Sequence, residues 1–250
     1  MRQREQLRFL LLEARLDPEM REHERSCLLS AGHLEPEQVQ IHNVLEQAPH
    51  ESLLSGYDAV VIGGTGDFAV STDRPDWYPP LEDFTRLLLE RQVPSLGLCY
   101  GFHLMAAAIG GRVEKRPEDG ETGTHEVELT PEGEGDVLFR QIPPRFGAQQ
   151  GHHDVVMEVP GPFVRLATSQ KCAWQALRHP SLPFYGLQFH PELSREDFML
   201  RMRKYKHVYA ATPGLYERID ASVRETTVQG VIKNFIDHIV LGMPASTTGA

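Results

Sequence analysis

A cysteine between two glycines is the first feature of this sequence that could carry out chemistry. Cys99 stands in the sequence GLCYG (residues 97–101), where an apolar, strand-like segment passes into a helix-like one. A side chain on such a sharp turn projects into the crevice at the carboxyl end of a sheet, and the flanking glycines let the backbone bend and a substrate approach. A thiol at a helix N-terminus also feels partial positive charge, which favours the thiolate. Cys99 is therefore a candidate nucleophile, and the alternative is a small residue buried at a strand end.

A histidine and a glutamate follow a second apolar segment, in the sequence GLQFHPE (residues 186–192). His190 could act as general base and then as general acid for acyl transfer through a thiol, while the Glu192 carboxylate fixes its tautomer and orientation. Pro191 between them stiffens the turn. A lone histidine after a strand is more often structural, but Cys99, His190 and Glu192 together have the composition of a catalytic triad.

A glycine-rich loop follows a third apolar segment, in the sequence VVIGGTGD (residues 60–67). Such turns are common, and this one lacks the Lys-Ser/Thr pair of a phosphate-binding loop. Beside a cysteine nucleophile, the loop is a candidate oxyanion hole. We expect one backbone N–H from the Gly63-Gly64 turn and another from Tyr100 to point at the tetrahedral intermediate.

The elements that must position these residues follow from the hydrophobic pattern. Strands are predicted at 8–14 and 58–62, with a helix over 18–34 between them, and a third strand at 93–98 lies between helices over 81–91 and 102–109. Strands that alternate with helices predict a parallel, doubly wound sheet.

The second half of the chain has a different pattern. Short strands separated by Pro and Gly turns predict antiparallel or mixed additions to the sheet, and helices return after Glu192. The predicted strands are 125–129, 155–159, 164–168 and 185–189, and the predicted helices are 195–209 and 228–240. The tail at 244–250 is predicted to be disordered.

Composition limits the class of protein. The 250 residues are 40% hydrophobic, enough for one sizeable core, and have no run of about eighteen apolar residues. The formal charge of −10 argues against binding to nucleic acid or an anionic membrane, so a small substrate or a protein partner is expected. Three cysteines without metal-knuckle spacing fit a reducing compartment, and we expect a cytoplasmic protein.

The three motifs, in their order along the chain (residues 60–67, 97–101 and 186–192), resemble those of the class I (triad) glutamine amidotransferases. The resemblance is in particular to a free-standing glutaminase domain of the GMP-synthetase type. The resemblance spans roughly residues 8–193. It implies a flavodoxin-like α/β fold, with a doubly wound, mostly parallel sheet, helices on both faces and some added antiparallel strands. It also implies hydrolysis of the side-chain amide of L-glutamine through a γ-glutamyl thioester on Cys99, which gives glutamate and ammonia. No cofactor is expected.

Three further residues are substrate-binding candidates. The segment QQGHHD (residues 149–154), predicted to be a loop, looks like the Ser-His-Gly-Asp stretch of GMP synthetases, whose backbone helps to hold the glutamine α-amino and α-carboxylate groups, and this makes His153 and Asp154 candidates. Family members usually have Gln four residues after the nucleophile, whereas this chain has His103. Either weaker glutamine binding or a different γ-glutamyl substrate could result. No metal site is expected, because ligand-type neighbours such as His152 and His153 rarely point at one ion.

A second departure from the family is the segment 194–227, which separates the His-Pro-Glu turn from the closing helix. We predict that it is a helical insertion in a single domain that spans 1–250. Its basic residues are interpreted as a solvated helix face, with a docking face for an acidic partner or a cover over the site as alternatives. They are Arg201, Arg203, Lys204, Lys206 and His207. The aromatic segment 67–78 is a candidate for shaping substrate access.

Three functions are compatible with these residues. The first is a glutaminase that delivers ammonia to a separate synthetase, because the chain has no nucleotide-binding loop and no room for a synthetase domain. The second is a γ-glutamyl hydrolase or peptidase that acts on γ-glutamyl conjugates, which His103 would support. The third is a non-catalytic regulatory domain, against which the complete triad argues.

Overall fold

The computed structural model describes residues 3–242, so the predicted disordered tail lies outside the described residues. Within this range the strands are β1 (Phe9–Glu13), β2 (Val39–Asn43), β3 (Ala59–Ile62), β4 (Ser95–Leu98), β5 (Arg112–Lys115), β6 (Glu121–Leu129), β7 (Arg145–His152), β8 (Asp154–Glu158), β9 (Val164–Thr168), β10 (Ala176–Arg178) and β11 (Phe184–Leu187). The helices are α1 (Pro18–Gly32), α2 (Tyr78–Glu90), α3 (Tyr100–Ala108), α4 (Pro131–Glu134), α5 (Arg195–Lys204), α6 (Lys206–Tyr209), α7 (Leu215–Ser222) and α8 (Gly230–Asn234). A π-helical turn, Phe235–Val240, continues α8.

The main sheet has the strand order β2-β1-β3-β4-β11-β10-β9-β6-β7. Neighbours from β2 to β11 pair in parallel, and those from β11 to β7 pair antiparallel. A separate antiparallel pair is formed by β5 and β8. The parallel half follows the flavodoxin-like order, which confirms the predicted fold class, and the antiparallel half is its extension.

The parallel half of the sheet is covered on both faces. Phe9 and Leu11 of β1 belong to one apolar cluster with residues of α1 and α8, whereas Leu10 and Leu12 belong to another with residues of α2 and α3. Side chains of a strand alternate between faces, so a strand buried on both sides reads as a continuous apolar run, as the sequence of β1 does.

The parallel register decides where the site lies. Leu98 at the end of β4 pairs with Leu187 at the end of β11. The two chemically promising motifs therefore leave the sheet side by side, at the carboxyl ends of neighbouring strands, where doubly wound sheets bind ligands.

The segment 194–227 forms α5, α6 and α7. The helix predicted over 195–209 is divided at Tyr205, whose φ of −101° and ψ of 25° leave the helical region. Phe198 and Met202 of α5 and Ile219 of α7 are buried in a cluster with Cys27 of α1. The segment is therefore packed onto the sheet domain.

The prediction that the segment 149–154 is a loop is wrong, because the structure places most of it in two strands. Residues 149–152 belong to β7, which pairs with β6 over eight register positions, and Asp154 begins β8. Pairing of this buried polar segment with β6 satisfies backbone N–H and C=O groups that a buried loop would leave without partners. Among the described residues, no helix has both the length and the apolar character needed to cross a membrane.

Candidate active site

Cys99 occupies a strained turn between β4 and α3. Its φ of 51° and ψ of −97° lie in a region that residues with side chains seldom adopt, and the side chain is only 4% exposed. The turn is tight because the start of α3 touches β3: a Cβ added to Gly101 would lie 2.1 Å from the Ile62 carbonyl oxygen. The glycine two residues after the cysteine is thus required by the close approach of the backbones.

His190 and Glu192 lie beside this turn as a hydrogen-bonded pair. The distance from His190 Nδ1 to Glu192 Oε1 is 2.7 Å, and both side chains are buried. The His190 N–H donates to the Gln149 carbonyl oxygen at 2.9 Å, which fixes the backbone of the turn against β7. The imidazole also interacts with the Cys99 sulfur. The structure therefore brings the three predicted triad residues together.

The charges of the pair follow from its surroundings. Burial opposes the charged form of His190, but the Glu192 carboxylate and Cys99 outweigh it and raise the pKa of His190 to about 9. Burial likewise opposes the charged form of Glu192, yet His190 and Arg201 hold the pKa of this carboxyl below its usual range. Near neutral pH the arrangement therefore keeps a proton on His190 and a negative charge on Glu192.

Arg201 is a site residue that the sequence interpretation missed. Its Nη1 donates to Glu192 Oε1 at 3.2 Å, and the side chain is 6% exposed, so for this residue the interpretation as a solvated face was wrong. The signal was present in the spacing, since Phe198, Arg201, Met202 and Tyr205 have the i, i+3, i+4, i+7 pattern of one helix face. That face packs over the site.

The structure gives the three predicted oxyanion donors different surroundings. The Gly63 N–H donates to the Leu12 carbonyl oxygen at 3.0 Å, and the Gly64 N–H donates to Glu24 Oε1 at 2.9 Å. In this structure neither group is free to bind an oxyanion, so the prediction for these two glycines does not hold. The Tyr100 N–H lies in the first turn of α3, where amide groups have no intrahelical acceptor.

A cavity of about 220 Å³ opens beside Cys99. Its lining includes all three predicted substrate residues, His103, His153 and Asp154. His103 is buried, and burial lowers its pKa to about 4, so the imidazole is neutral near pH 7. Its Nε2 lies 2.6 Å from the side-chain oxygen of Gln188, whose own amide nitrogen lies 3.9 Å from the Cys99 sulfur. Gln188, which the sequence interpretation did not single out, thus connects His103 with the nucleophile.

The Asp154 carboxylate anchors the aromatic segment 67–78 at the mouth of the cavity. It accepts hydrogen bonds from the Ser71 N–H at 2.9 Å and from the Ser71 hydroxyl at 2.5 Å. Phe68 and Trp77 of the same segment pack edge to face, with ring centroids 4.9 Å apart. The Asp154 carboxylate thus ties the segment to β8, and the aromatic pair stabilises the segment internally.

Asp154→Ala is expected to loosen this segment. Loss of the two charge-assisted hydrogen bonds removes about 1.5 kcal/mol or more of stabilisation from the closed segment. The population of the open state therefore rises about tenfold. Limited digestion with chymotrypsin should then cleave after Phe68 and Trp77 about tenfold faster. Asp76→Ala, a change at an exposed aspartate of the same segment, is the control and should leave the rate unchanged. Equal rates for both variants would contradict the anchoring role.

Two groups of ligand-type side chains are close enough to surround an ion. Within the described residues, ligand atoms lie within 4.8 Å of one another in the group His23, Cys27 and Asp197 and in the group Glu121, His152 and Cys172. Internal hydrogen bonds already occupy both groups: His23 Nε2 lies 3.2 Å from Asp197 Oδ1, and Glu121 accepts from Gln175 at 2.5 Å. We assign no metal to either group.

Comparison with known proteins identifies the family of this chain. A model of the family described as glutamine amidotransferase class-I matches residues 25–205, which include Cys99, His190 and Glu192. The chain belongs to the class I glutamine amidotransferases.

Relatives of this amidotransferase are named as subunits of a synthase. The chain is 42% identical to a glutamine-hydrolysing GMP synthase subunit of Methanopyrus kandleri over 110 residues, which are 44% of this chain and 57% of that protein. It is 36% identical to the corresponding protein of Archaeoglobus fulgidus over 145 residues, which are 58% of this chain and 72% of that protein. The chain spans little more than half the length of several such relatives.

Solved structures have the same fold as this amidotransferase. A glutamine amidotransferase from Thermotoga maritima superposes with a TM-score of 0.70 at 21% identity, over 94% of this chain and 98% of that one. A glutamine amido transferase from Methylobacillus flagellatus superposes with a TM-score of 0.68 at 18% identity, over 95% of each chain. At these identities the likeness concerns the fold.

Proposed function

We propose that this chain hydrolyses the side-chain amide of L-glutamine through a γ-glutamyl thioester on Cys99 and releases ammonia for an acceptor enzyme. The observation that carries the proposal is the buried pair of His190 and Glu192, with 2.7 Å between Nδ1 and Oε1, beside a cysteine held in a strained turn. A base oriented by a third group and placed next to a nucleophile is the arrangement used for covalent acyl transfer.

In the first half-reaction, the Cys99 sulfur attacks the amide carbon of glutamine as a thiolate. The electron pair of the carbonyl moves to its oxygen, and the Tyr100 N–H is the donor available to that oxyanion. His190, which carries a proton, gives it to the departing nitrogen. The carbon–nitrogen bond then breaks, ammonia leaves, and a thioester remains on Cys99.

In the second half-reaction, water replaces ammonia at the same position. His190, now neutral, takes a proton from the water as its oxygen attacks the thioester carbon. The carbon–sulfur bond breaks, the sulfur leaves as thiolate, and glutamate is released. Glu192 stays ionised throughout and compensates the charge that His190 gains and loses.

Glu192→Gln is expected to change the pH dependence of turnover. The negative charge of Glu192 raises the pKa of His190 to about 9, so His190 loses its proton, and the parent enzyme its activity, as the pH rises through about 9. Without that charge the pKa of His190 falls, and the alkaline limb of kcat/KM should move to lower pH, with a loss of about 10²-fold at neutral pH. Measurement of glutamate release between pH 6 and 10 checks this, and an alkaline limb that stays in place would contradict the assigned role of Glu192.

The acceptor is proposed to be a separate polypeptide. Relatives of this chain are named as one of the subunits of a glutamine-hydrolysing GMP synthase, which supports a division of labour between chains. We propose a cytoplasmic protein, because its three cysteines, Cys27, Cys99 and Cys172, are free thiols of the kind that a reducing compartment preserves.

The γ-glutamyl hydrolase alternative rested on His103. That residue is neutral near pH 7 and its Nε2 contacts Gln188, so it presents no positive charge that would select a different substrate. We therefore favour glutamine as the substrate.

A direct comparison of substrates tests the proposal. The purified chain is incubated with L-glutamine and, separately, with a γ-glutamyl dipeptide, and glutamate release is followed by an enzyme-coupled assay. Turnover of glutamine that far exceeds turnover of the dipeptide is the expected result. Turnover of the dipeptide alone would contradict the amidotransferase reaction and favour the hydrolase.

A further inference from the structure

Glu192 has two hydrogen-bond donors, and one of them belongs to the helical segment 194–227. Its Oε1 accepts from His190 Nδ1 at 2.7 Å and from Arg201 Nη1 at 3.2 Å. Among the described residues its other oxygen, Oε2, has no hydrogen-bond partner. A buried carboxylate held by one neighbour alone could turn about its side-chain torsions, so the second donor limits the positions that Glu192 can take.

Arg201 also faces the carboxylate that holds the glycine-rich loop. Its Nη2 lies 3.8 Å from Glu24 Oε1, the same oxygen that accepts from the Gly64 N–H at 2.9 Å. The other side of Glu24 is bound by Arg15, with 2.7 Å between Nε and Oε2. Two guanidinium groups and two carboxylates thus alternate through the interior, from Arg15 to Glu192.

The position of Arg201 is fixed by packing as well as by charge. The side chains on either side of it along the helix face, Phe198 and Met202, are buried against Cys27 of α1. Arg203 of the same helix points into solvent instead. The guanidinium reaches Glu192 only while α5 is seated on the sheet domain.

We propose that Arg201 is a positioning residue of the triad, which holds Glu192 in line with His190 and makes the seating of α5 a condition for turnover. The inference rests on the proposed function. Its direct consequence is that the loss of Arg201 lowers kcat through Glu192, whereas KM for glutamine is unaffected because Arg201 is not among the residues that line the cavity of about 220 Å³ beside Cys99.

The test compares R201M with R203M, the same change at the exposed arginine of the same helix. R201M should lower kcat for glutamine about 30- to 100-fold with KM within about twofold, and R203M should change neither. R201K keeps the positive charge but not the planar guanidinium group with its several N–H donors, and it should recover part of the lost kcat. Thermal unfolding of each variant establishes that the molecules being compared are folded.

A double-mutant cycle separates positioning from a general loss of structure. If Arg201 acts through Glu192, then R201M should lower kcat less than about threefold in an E192A background, because no carboxylate is left to position. R201K supplies the same comparison should R201M fail to fold, since its loss of kcat should also disappear with E192A. An unchanged kcat in R201M, or equal losses of kcat in the parent and in the E192A background, would overturn the positioning role. In that case the activity of the parent chain on glutamine would still support the proposed function. Failure of the parent chain to hydrolyse glutamine would overturn both.

Discussion

Cys99→Ala is expected to abolish release of glutamate from glutamine, with a loss of about 10⁴-fold or more in kcat. The sulfur forms the covalent intermediate in the proposed reaction, so its removal leaves only the binding of substrate and the stabilisation of charge, as in other enzymes that lose their nucleophile. Binding of glutamine itself should persist, because the cavity is lined mainly by other residues. Coupled assay of glutamate release and calorimetric titration of glutamine measure the two effects.

Cys172→Ala is the matched control for this change. Cys172 is also a free and buried cysteine, but its sulfur donates to the Asp119 carbonyl oxygen at 3.3 Å, and it does not line the cavity. Activity per folded molecule should therefore stay close to that of the parent. Glutamate release that persists in the Cys99→Ala variant would show that Cys99 is not the nucleophile of the reaction.

Gly101→Ala is expected to prevent the chain from folding or to cost about 3 kcal/mol or more of unfolding free energy. The added Cβ would lie 2.1 Å from the Ile62 carbonyl oxygen and 2.8 Å from its carbon, and these atoms belong to the backbone of a central strand and cannot rotate away. The start of α3 would have to move off β3, which also displaces the Cys99 turn. Denaturant unfolding followed by circular dichroism measures the stability, and the yield of soluble protein is an earlier sign.

Gly56→Ala provides the comparison for this second change. An added Cβ at Gly56 has no heavy atom within 4 Å, so the same chemical change should alter stability by a few tenths of a kcal/mol. A Gly101 variant as stable and as active as the Gly56 variant would show that the contact between α3 and β3 is not tight, and the structural account of the Gly-x-Cys-x-Gly motif would fail.

The fold class and the triad were predictable because both depend on local patterns. The apolar runs that became β1, β3, β4 and β11 are buried strands of the parallel half, where burial on both faces leaves a strong signal. Cys99, His190 and Glu192 closely follow two of these strands, so their meeting follows from parallel pairing alone.

The strands that were missed have weaker patterns for physical reasons. β2 is an edge strand with a largely polar sequence, and β10 has only three residues. β7 contains two glutamines and two glycines, and only its pairing with β6 along eight register positions makes it a strand. In each case tertiary pairing overrides a weak local preference.

The parts of the site that were missed depend on residues far apart in the chain. The Gly64 N–H points to Glu24, which lies 40 positions earlier, and no local pattern reveals the direction of that N–H. Arg201 was grouped with its basic neighbours as a solvated face, although its helical spacing with Phe198 and Met202 indicates the buried side. Contacts between residues that are far apart in the chain leave no local sequence pattern, so only the folded structure reveals them.

The most direct test of the central claim is covalent labelling of the nucleophile by a reactive glutamine analogue. The purified chain is incubated with 6-diazo-5-oxo-L-norleucine, digested, and mapped by mass spectrometry, with excess L-glutamine as a competitor. We predict one label per chain, carried by Cys99, prevented by glutamine and absent from Cys99→Ala. A chain whose Cys99 stays unlabelled, or is labelled equally well in the presence of excess glutamine, would contradict a glutamine site built around this cysteine.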